Sequence, residues 1–252
     1  MSVIQLKCDR ASRASAQGPR SHQEDRDLVF ESTGRDNYVL LCVADGHAGG
    51  PQVAEYAVEH LPKLVNKHRK LLVQDQVGQA LFELGRLTKD MRQGSTISAV
   101  HIENNVAHVA FMGDSPIIIV DHKGNLVISD VHNVYSNCRE RDEACERGGN
   151  YRGFYVYGPE GSGLQLTRSL GDSGMGSVVK REPEFYSVKL GPQSIIVVCS
   201  DGALDLAHTE DEDHVAQIVR LVQGGGEAEQ VLAWAKSKRL SDNATVIIYR
   251  HQ

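Results

Sequence analysis

Residues 38–50 read YVLLCVADGHAGG, an apolar run followed directly by an acidic turn. The run at 38–44 has the length and composition of a buried strand. At the end of that strand, Asp45 offers a metal ligand and His47 a proton donor, separated only by Gly46. Taken alone, an Asp-Gly pair after a strand is more typical of a turn than of a metal site, and His47 is as readily a structural histidine.

Acidic residues stand against strand-like runs at three further places, and these residues are Glu24 with Asp25, Asp201, and Asp242. A folded sheet can bring several strand ends together, and carboxylates gathered in this way repel one another unless cations lie between them. Hard divalent cations prefer such oxygen ligands. The pattern therefore predicts a site for two metal ions, assembled from distant sequence, of the kind that hydrolases use.

The chain has 252 residues, the upper edge of a single domain, and we expect one domain over residues 1–252. The five carboxylates just named nearly account for the net charge of −6, so the rest of the surface is close to balanced. No basic excess suggests a nucleic-acid partner. No apolar stretch approaches the roughly 18 residues of a membrane helix, so we expect no membrane association.

The five cysteines are scattered, and none forms a Cys-x-x-Cys pair. Cys42 and Cys199 lie inside apolar runs, where they read as small buried hydrophobic residues. This usage favours a reducing compartment, and the N-terminus lacks the apolar core of a secretion signal. We therefore expect the cytoplasm, with the nucleus as the alternative. Cys138 and Cys145 fit ordinary surface thiols better than redox sensors.

Hydrophobic periodicity divides the chain into strands and helices. The strand-like runs lie near 28–32, 38–44, 96–102, 105–111, 116–120, 125–129, 195–200 and 244–249. Apolar residues at helical spacing predict two helices between 51 and 91 and two more between 215 and 235. Adjacent helix pairs with strands before, between and after them predict antiparallel sheets covered by helices. This is an α+β fold rather than a βαβ alternation.

Two segments carry more specific predictions. Residues 100–120 read as a meander, with turns at 103–105 and 113–115. Residues 132–164 are polar and end in a glycine-rich stretch. They predict a short helix followed by an irregular, flap-like insertion, and such a segment inside a compact domain is usually functional.

Seven short motifs follow one another along the chain, and they are Arg20-Ser21-His22-Gln23-Glu24-Asp25, Asp45-Gly46-His47-Ala48-Gly49-Gly50, Gly94-Ser95-Thr96, Gly113-Asp114-Ser115, Thr167-Arg168-Ser169-Leu170-Gly171-Asp172, Ser200-Asp201-Gly202 and Ser241-Asp242-Asn243. Together they closely resemble the metal-dependent serine/threonine protein phosphatases of the type 2C family, over about residues 17–249. The resemblance implies a four-layer α-β-β-α sandwich of two antiparallel sheets flanked by antiparallel helix pairs, in agreement with the periodicity.

The resemblance also implies two Mg²⁺ or Mn²⁺ ions in a cleft at one edge of the sandwich. Asp45 is expected to bridge both ions. The other expected ligands are the Gly46 carbonyl on one ion, Asp201 and Asp242 on the other, and Glu24 and Asp25 acting partly through waters. Asp114 matches a position that binds a third, weaker ion in relatives, with a plain turn as the alternative. Oxygen ligation suits these hard cations, and no cluster of cysteines and histidines suggests zinc.

The activity that the resemblance implies is hydrolysis of phosphoserine and phosphothreonine in protein substrates by a water that two metals activate, as part of signalling. Arg20 is expected to hold phosphate oxygens, and His47 to give a proton to the departing alkoxide. Arg168 is expected either to reach the phosphate or to brace the flap. The alternatives are a catalytically weak module that binds phosphoproteins and a phosphatase for small molecules. We expect a monomer.

The chain departs from the family pattern in two motifs, and the region between Pro51 and Gly94 is also rather short. Gly113-Asp114-Ser115-Pro116 stands where the family usually has Gly-Asp-Ser-Arg. The usual Asp-His-x-Pro element is altered to Asp-Val-His-Asn at 130–133. Both departures lie around the flap and its support rather than at the principal ligands, so they bear on substrate selectivity and on the third ion.

Overall fold

A computed structural model describes residues 8–33, 37–204 and 214–252. These residues form two five-stranded sheets, two three-stranded sheets and five α-helices. The strands are β1 (Ala11–Ala16), β2 (Arg26–Ser32), β3 (Tyr38–Ala44), β4 (Gly46–His47), β5 (Gly94–Ser95), β6 (Ile97–Glu103), β7 (Val106–Met112), β8 (Ile117–Val120), β9 (Leu126–Ile128), β10 (Asn150–Arg152), β11 (Tyr155–Tyr157), β12 (Gly163–Leu164), β13 (Leu170–Gly171), β14 (Glu184–Lys189), β15 (Ile195–Cys199) and β16 (Ala244–Arg250). The helices are α1 (Gln52–Lys67), α2 (Val73–Thr88), α3 (Cys138–Glu146), α4 (His214–Gln223) and α5 (Ala228–Ser237).

The two large sheets pack face to face. One has the strand order β1-β16-β15-β8-β9 and the other the order β14-β7-β6-β3-β2, with antiparallel pairing throughout. Along β3, Leu41 and Val43 join the core between the sheets, whereas Leu40 and Cys42 join the core on the opposite face. Successive side chains of a strand face opposite sides, so this uninterrupted apolar run serves two cores.

The helices form the outer layers. The apolar face of α1 and α2, including Leu61 and Leu81, packs on the sheet that contains β3. The faces of α4 and α5, including Ile218 and Val231, pack on the sheet that contains β16. The four-layer α-β-β-α sandwich is therefore confirmed. None of the helices within the described ranges has both the length and the apolar character to span a membrane.

The predicted meander at 100–120 is wrong in its second half. β6 and β7 do form a hairpin, in which Asn104 and Asn105 take positive φ values of 51° and 60°. Two positive φ values at the centre of a two-residue loop fit a type I′ turn, which matches the twist of a hairpin. β8 instead enters the other sheet and pairs with β15. Gly113, at φ 108°, begins this crossing, and a Cβ there would lie 2.6 Å from the Thr96 side chain.

The predicted flap is more regular than expected. Its helix is α3, but the glycine-rich part forms the small antiparallel sheet β10-β11-β12 instead of an irregular loop. A separate apolar cluster supports it, in which Ala144 of α3 and Val156 of β11 meet Met175, Val178 and Val179. The flap is therefore a packed subdomain with a core of its own.

We predict that Leu41→Ala lowers the free energy of unfolding by about 2–5 kcal/mol, because it opens a cavity between the two sheets. Leu126→Ala removes the same atoms from β9, where the side chain is 44% exposed, and serves as the matched control. We expect it to cost below about 1 kcal/mol. Urea denaturation measures both values, and equal losses would contradict the assigned packing.

Candidate metal centre

The strand topology brings the predicted acidic residues to one edge of the sandwich. The end of β3 pairs with the start of β2, since Ala44 lies opposite Arg26. The end of β15 likewise pairs with the start of β16, since Cys199 lies opposite Val246. Acidic residues that follow β3 and β15 therefore meet those that precede β2 and β16. Antiparallel pairing joins these residues within each sheet, and the face-to-face packing of the two sheets brings the two pairs together.

A cavity of about 490 Å³ opens at this edge. Its lining residues are Arg20, Ser21, His22, Glu24, Asp45, Gly46, His47, Ala48, Gly49, Thr96, Asp114, Tyr155, Gly163, Leu164, Gln165, Leu166, Asp201 and Asp242. Most of the sequence-predicted site residues are in this set. Asp25 lies buried behind the lining, where it accepts a 2.8 Å hydrogen bond from Ser200 Oγ.

Asp45 is fixed through its backbone. Its N–H donates to Thr96 Oγ1 at 3.1 Å, and its carbonyl accepts from the Thr96 N–H at 2.9 Å. Gly46 follows in close contact with Glu24, and a Cβ at Gly46 would lie 2.7 Å from the Glu24 carbonyl oxygen. Position 46 therefore requires glycine. Because glycine has no side chain, the Asp45 turn packs directly against Glu24.

The carboxylates at the base of the cavity disfavour one another's charge. Burial raises the pKa of Asp45 well above its ordinary value, and repulsion from Asp201 and Asp25 raises it further. Burial, together with repulsion from Asp114, raises the pKa of Asp201 to about 8. Burial also raises the pKa of Asp25. These groups are poorly accommodated as anions without a neighbouring positive charge.

Two carboxylate oxygens test whether a metal fits this site. Asp25 Oδ1 and Asp201 Oδ1 are buried, and neither has a hydrogen-bond partner within the described part of the chain. Burying an anionic oxygen without a partner is unfavourable. The convergent donors are carboxylate and carbonyl oxygens, which suit Mg²⁺ and Mn²⁺. The residues present therefore fit these cations.

Asn243 holds the loop that carries Arg20 and Glu24. Its Nδ2 donates to the carbonyls of Gln17 and His22, and its Oδ1 accepts from the Glu24 N–H at 2.8 Å. The neighbouring Asp242 pairs with Arg20 at 2.5 Å. The Arg20 side chain remains 56% exposed, so its other donors face solvent at the cavity mouth. The sequence motif contained Asn243 but gave no sign of this bracing role.

His47 has a partner that the sequence reasoning missed. Its Nε2 lies 2.8 Å from Asp172 Oδ2, and the Asp172 side chain is only 4% exposed. Burial opposes the charged imidazolium, but the hydrogen bond and the negative charge of Asp172 outweigh it, so the pKa of His47 is raised. Asp172 is 125 positions away along the chain, and its local context, Leu-Gly-Asp, indicates only a turn.

Arg168 is not among the residues that line the cavity. Its guanidinium donates to both carboxylate oxygens of Glu140 in α3, at 2.5 and 3.2 Å. Burial alone would raise the pKa of Glu140, but the hydrogen bonds from Arg168 and Thr167 lower it to about 2. Three possible metal ligands lie close together here, and they are Glu140, Glu184 and His132. Arg168 already supplies positive charge to this group. Of the two roles expected for Arg168, this geometry favours bracing the flap over binding the phosphate.

Asp114 lies in the cavity lining, as the motif predicted. Asn133 Nδ2 donates to Asp114 Oδ2 at 2.8 Å. Asn133 belongs to one of the segments that depart from the family pattern, so this altered segment contacts the Asp114 carboxylate directly. The third ion remains a prediction.

Comparisons with known proteins agree with this geometry. A family model described as protein phosphatase 2C matches residues 9–244. The chain is 29% identical to probable protein phosphatase 2C 76 of Arabidopsis thaliana, over 94% of this chain and 58% of that protein. It is 25% identical to a Caenorhabditis elegans sex determining protein of known structure, with a TM-score of 0.80 over 95% of this chain and 64% of that one. The chain thus spans less than two thirds of either relative.

The catalytic domain of the serine/threonine protein phosphatase PstP, solved with two manganese ions, shares the fold. Its TM-score is 0.62 at 19% identity, over 96% of this chain and 98% of that one.

The two-sheet sandwich and its acidic edge define the class of divalent-metal-dependent phosphatases. Within that class, the chain belongs to the protein phosphatase 2C family.

We predict that the metal-free protein becomes less stable as the pH rises from about 4 to about 8. Asp201 holds its proton up to about pH 8 in the folded chain, whereas it ionises near its ordinary value when unfolded. The stability that this proton provides is present at low pH and lost as the pH rises through the folded pKa. Melting temperatures in EDTA measure this loss, and Mn²⁺ is expected to offset it by binding the folded state.

Asp201→Asn is expected to flatten this pH dependence in EDTA and to weaken the Mn²⁺-induced increase in melting temperature. Asp142→Asn makes the same chemical change at a side chain that is 71% exposed, and it should behave like the wild type. A steep pH dependence that survives in Asp201→Asn would contradict the assigned electrostatics.

Proposed function

We propose that this chain hydrolyses phosphoserine and phosphothreonine in proteins with the help of two Mg²⁺ or Mn²⁺ ions. The observation that carries the proposal is a pair of buried carboxylate oxygens, on Asp25 and Asp201, that have no hydrogen-bond partner among the described residues. They lie beside a cavity that also presents Arg20 and His47. One cleft thus holds a carboxylate cluster that favours bound cations, a group that can bind phosphate (Arg20) and a proton donor (His47).

The position of each proposed ligand in the carboxylate cluster indicates its role at the two ions. Burial, followed by repulsion from Asp201, Asp25 and Asp114, raises the pKa of Asp45, and a position beside three other carboxylates supports the bridging role. The remaining ligands are the Gly46 carbonyl, Asp201, Asp242, Glu24 and Asp25, the last two acting partly through water. When bound, the two ions neutralise the phosphate charge and supply an activated water. Family membership supports Mg²⁺ or Mn²⁺, and the PstP structure holds two manganese ions.

Arg20 is proposed to orient the phosphate. Five acidic side chains line the cavity, and Arg20 is the one lysine or arginine among the described lining residues. Its planar fork can donate two parallel hydrogen bonds to phosphate oxygens. Its pairing with Asp242 pre-positions the guanidinium beside the cluster before the substrate arrives.

His47 is proposed as the general acid. It lines the cavity, and its Nε2 is engaged by Asp172. This leaves Nδ1 to give a proton to the departing seryl or threonyl oxygen as the phosphorus–oxygen bond breaks. An alkoxide is a poor leaving group, so such proton donation contributes strongly to the rate.

We predict that purified protein hydrolyses p-nitrophenyl phosphate and a phosphothreonine peptide with Mn²⁺ or Mg²⁺ but not in EDTA. Asp45→Asn is expected to lower kcat/KM by at least about 100-fold on both substrates, because it removes the central ligand. Asp142→Asn is the exposed control. Turnover in EDTA equal to that with Mn²⁺ would refute the metal mechanism. Phosphopeptide binding without turnover would favour the phosphoprotein-binding alternative, and turnover confined to small esters the small-molecule alternative.

His47→Ala is expected to reduce peptide hydrolysis by about 10²–10³-fold and p-nitrophenyl phosphate hydrolysis by less than about tenfold. The reason is that p-nitrophenolate leaves without much protonation, whereas an alkoxide does not. Steady-state kinetics on both substrates at saturating Mn²⁺ measures the two losses. Equal losses would count against proton donation by His47.

A further inference from the structure

We propose that Asp172 is a positioning residue, which orients the His47 imidazole so that Nδ1 faces the departing oxygen. The inference rests on the proposed function of His47. It assigns a role to a residue that neither lines the cavity nor belongs to the proposed metal ligands. Asp172 acts through His47 rather than on the substrate.

The contact defines the histidine tautomer. An ionised carboxylate only accepts hydrogen bonds, so the 2.8 Å contact with Asp172 requires the hydrogen of a neutral His47 to sit on Nε2. The second ring nitrogen, Nδ1, is then the one that exchanges protons with a reacting group. A histidine held by a buried carboxylate keeps one orientation, which is how a second partner usually fixes this side chain.

The small sheet β13-β5-β4 builds the contact. Gly94 of β5 pairs with His47 on one side and with Gly171 on the other. A Cβ at Gly94 would lie 2.1 Å from His47 Nε2 and 2.3 Å from Asp172 Oδ2. The histidine and the aspartate therefore reach each other across the space that the missing side chain leaves. This contact explains why the first residue of the Gly94-Ser95-Thr96 motif is a glycine.

Asp172 is itself held firmly. Its backbone lies in the left-handed region, at φ 53°, which is unfavourable for a residue other than glycine. Arg181 stabilises this turn, because its Nη2 donates to the Asp172 carbonyl and its Nε to the Gly171 carbonyl, both at 2.8 Å. Ser169 Oγ donates to Asp172 Oδ2 at 2.5 Å. Groups other than His47 thus fix the carboxylate, so it can hold the imidazole ring of His47 in one orientation.

The location of Asp172 separates this role from metal binding. Asp45, Asp114, Asp201 and Asp242 all line the cavity, whereas Asp172 is buried behind His47. Its Oδ2 already accepts from both Ser169 and His47.

The proton balance follows from this placement. The oxygen of water forms the new bond to phosphorus as the ester bond breaks, and the water releases its proton to solvent. The Nδ1 proton passes to the departing oxygen, which leaves as the alcohol of serine or threonine. Asp172 accepts the hydrogen bond from the Nε2 hydrogen throughout and exchanges no proton with the substrate. His47 then regains its proton from solvent.

A double-mutant cycle tests the proposal on the Mn²⁺-loaded enzyme. Asp172→Asn is expected to lower kcat on a phosphothreonine peptide by about 10–100-fold and on p-nitrophenyl phosphate by less than about threefold. Added to His47→Ala, it should cause no further loss, because it acts through that ring. Equal losses on both substrates, or losses that multiply in the double variant, would overturn the proposal. Asp142→Asn makes the same chemical change at a side chain that is 71% exposed and is expected to keep the wild-type ratio between substrates.

A second measurement does not depend on turnover. Long-range ¹H–¹⁵N spectra of the metal-free protein report which ring nitrogen of the neutral His47 carries the hydrogen. We expect the Nε2–H form in the wild type and a shift towards the Nδ1–H form in Asp172→Asn. If no metal supports turnover, the proposed function fails, yet these spectra still decide the role of Asp172. An Nδ1–H form in the wild type, or identical spectra in the variant, would overturn it.

Discussion

Repulsion among buried carboxylates at one edge of the sandwich is the constraint on which the other features of this molecule depend. Asp25, Asp45 and Asp201 are gathered where burial and mutual charge disfavour their ionised forms. A chain that folded only for stability would separate these groups or pair them. Their convergence is stable only because two large apolar interfaces hold the strand ends in place, and because cations can occupy the space between the carboxylates. The site is thus destabilising until it is loaded.

The surrounding backbone is arranged around this cluster. Gly46 and Gly202 allow close approach, since a Cβ at Gly202 would lie 1.8 Å from the Asn243 carbonyl oxygen. Asn243 in turn holds the loop that brings Glu24 to the edge. These contacts link three distant segments through backbone atoms and through the buried side chain of Asn243. A metal site benefits from such rigidity, because ligand positions must be kept before the ion arrives.

The sequence predicts the elements that have strong hydrophobic periodicity. It does not predict the elements that are defined only by pairing with distant parts of the chain. β3, β15 and β16 are uninterrupted apolar runs, so length and composition were sufficient. β1, with the sequence ASRASA, consists of small residues apart from Arg13, and β14 alternates between half-buried and exposed positions at a sheet edge. Neither strand has a local signal that separates it from a loop. The move of β8 into the other sheet, the small sheet of the flap and the contact between Asp172 and His47 arise from long-range contacts, which no local window contains.

One of the departures from the family pattern, the altered segment at 130–133, acquires a physical meaning in the structure. His132 accepts from the Gly113 N–H through Nδ1 at 3.1 Å, and its own N–H donates to the Gly113 carbonyl at 3.0 Å. Asn133 donates to Asp114. The altered segment at 130–133 therefore holds the turn that carries Asp114 through both backbone and side-chain contacts. Because His132 also lies 3.4 Å from Glu184, next to the pair of Arg168 and Glu140, this turn and the flap share one supporting network. The turn that carries Asp114 and the flap are thus joined through side chains in contact, whereas Asp45 and Asp201 follow strands of the two large sheets.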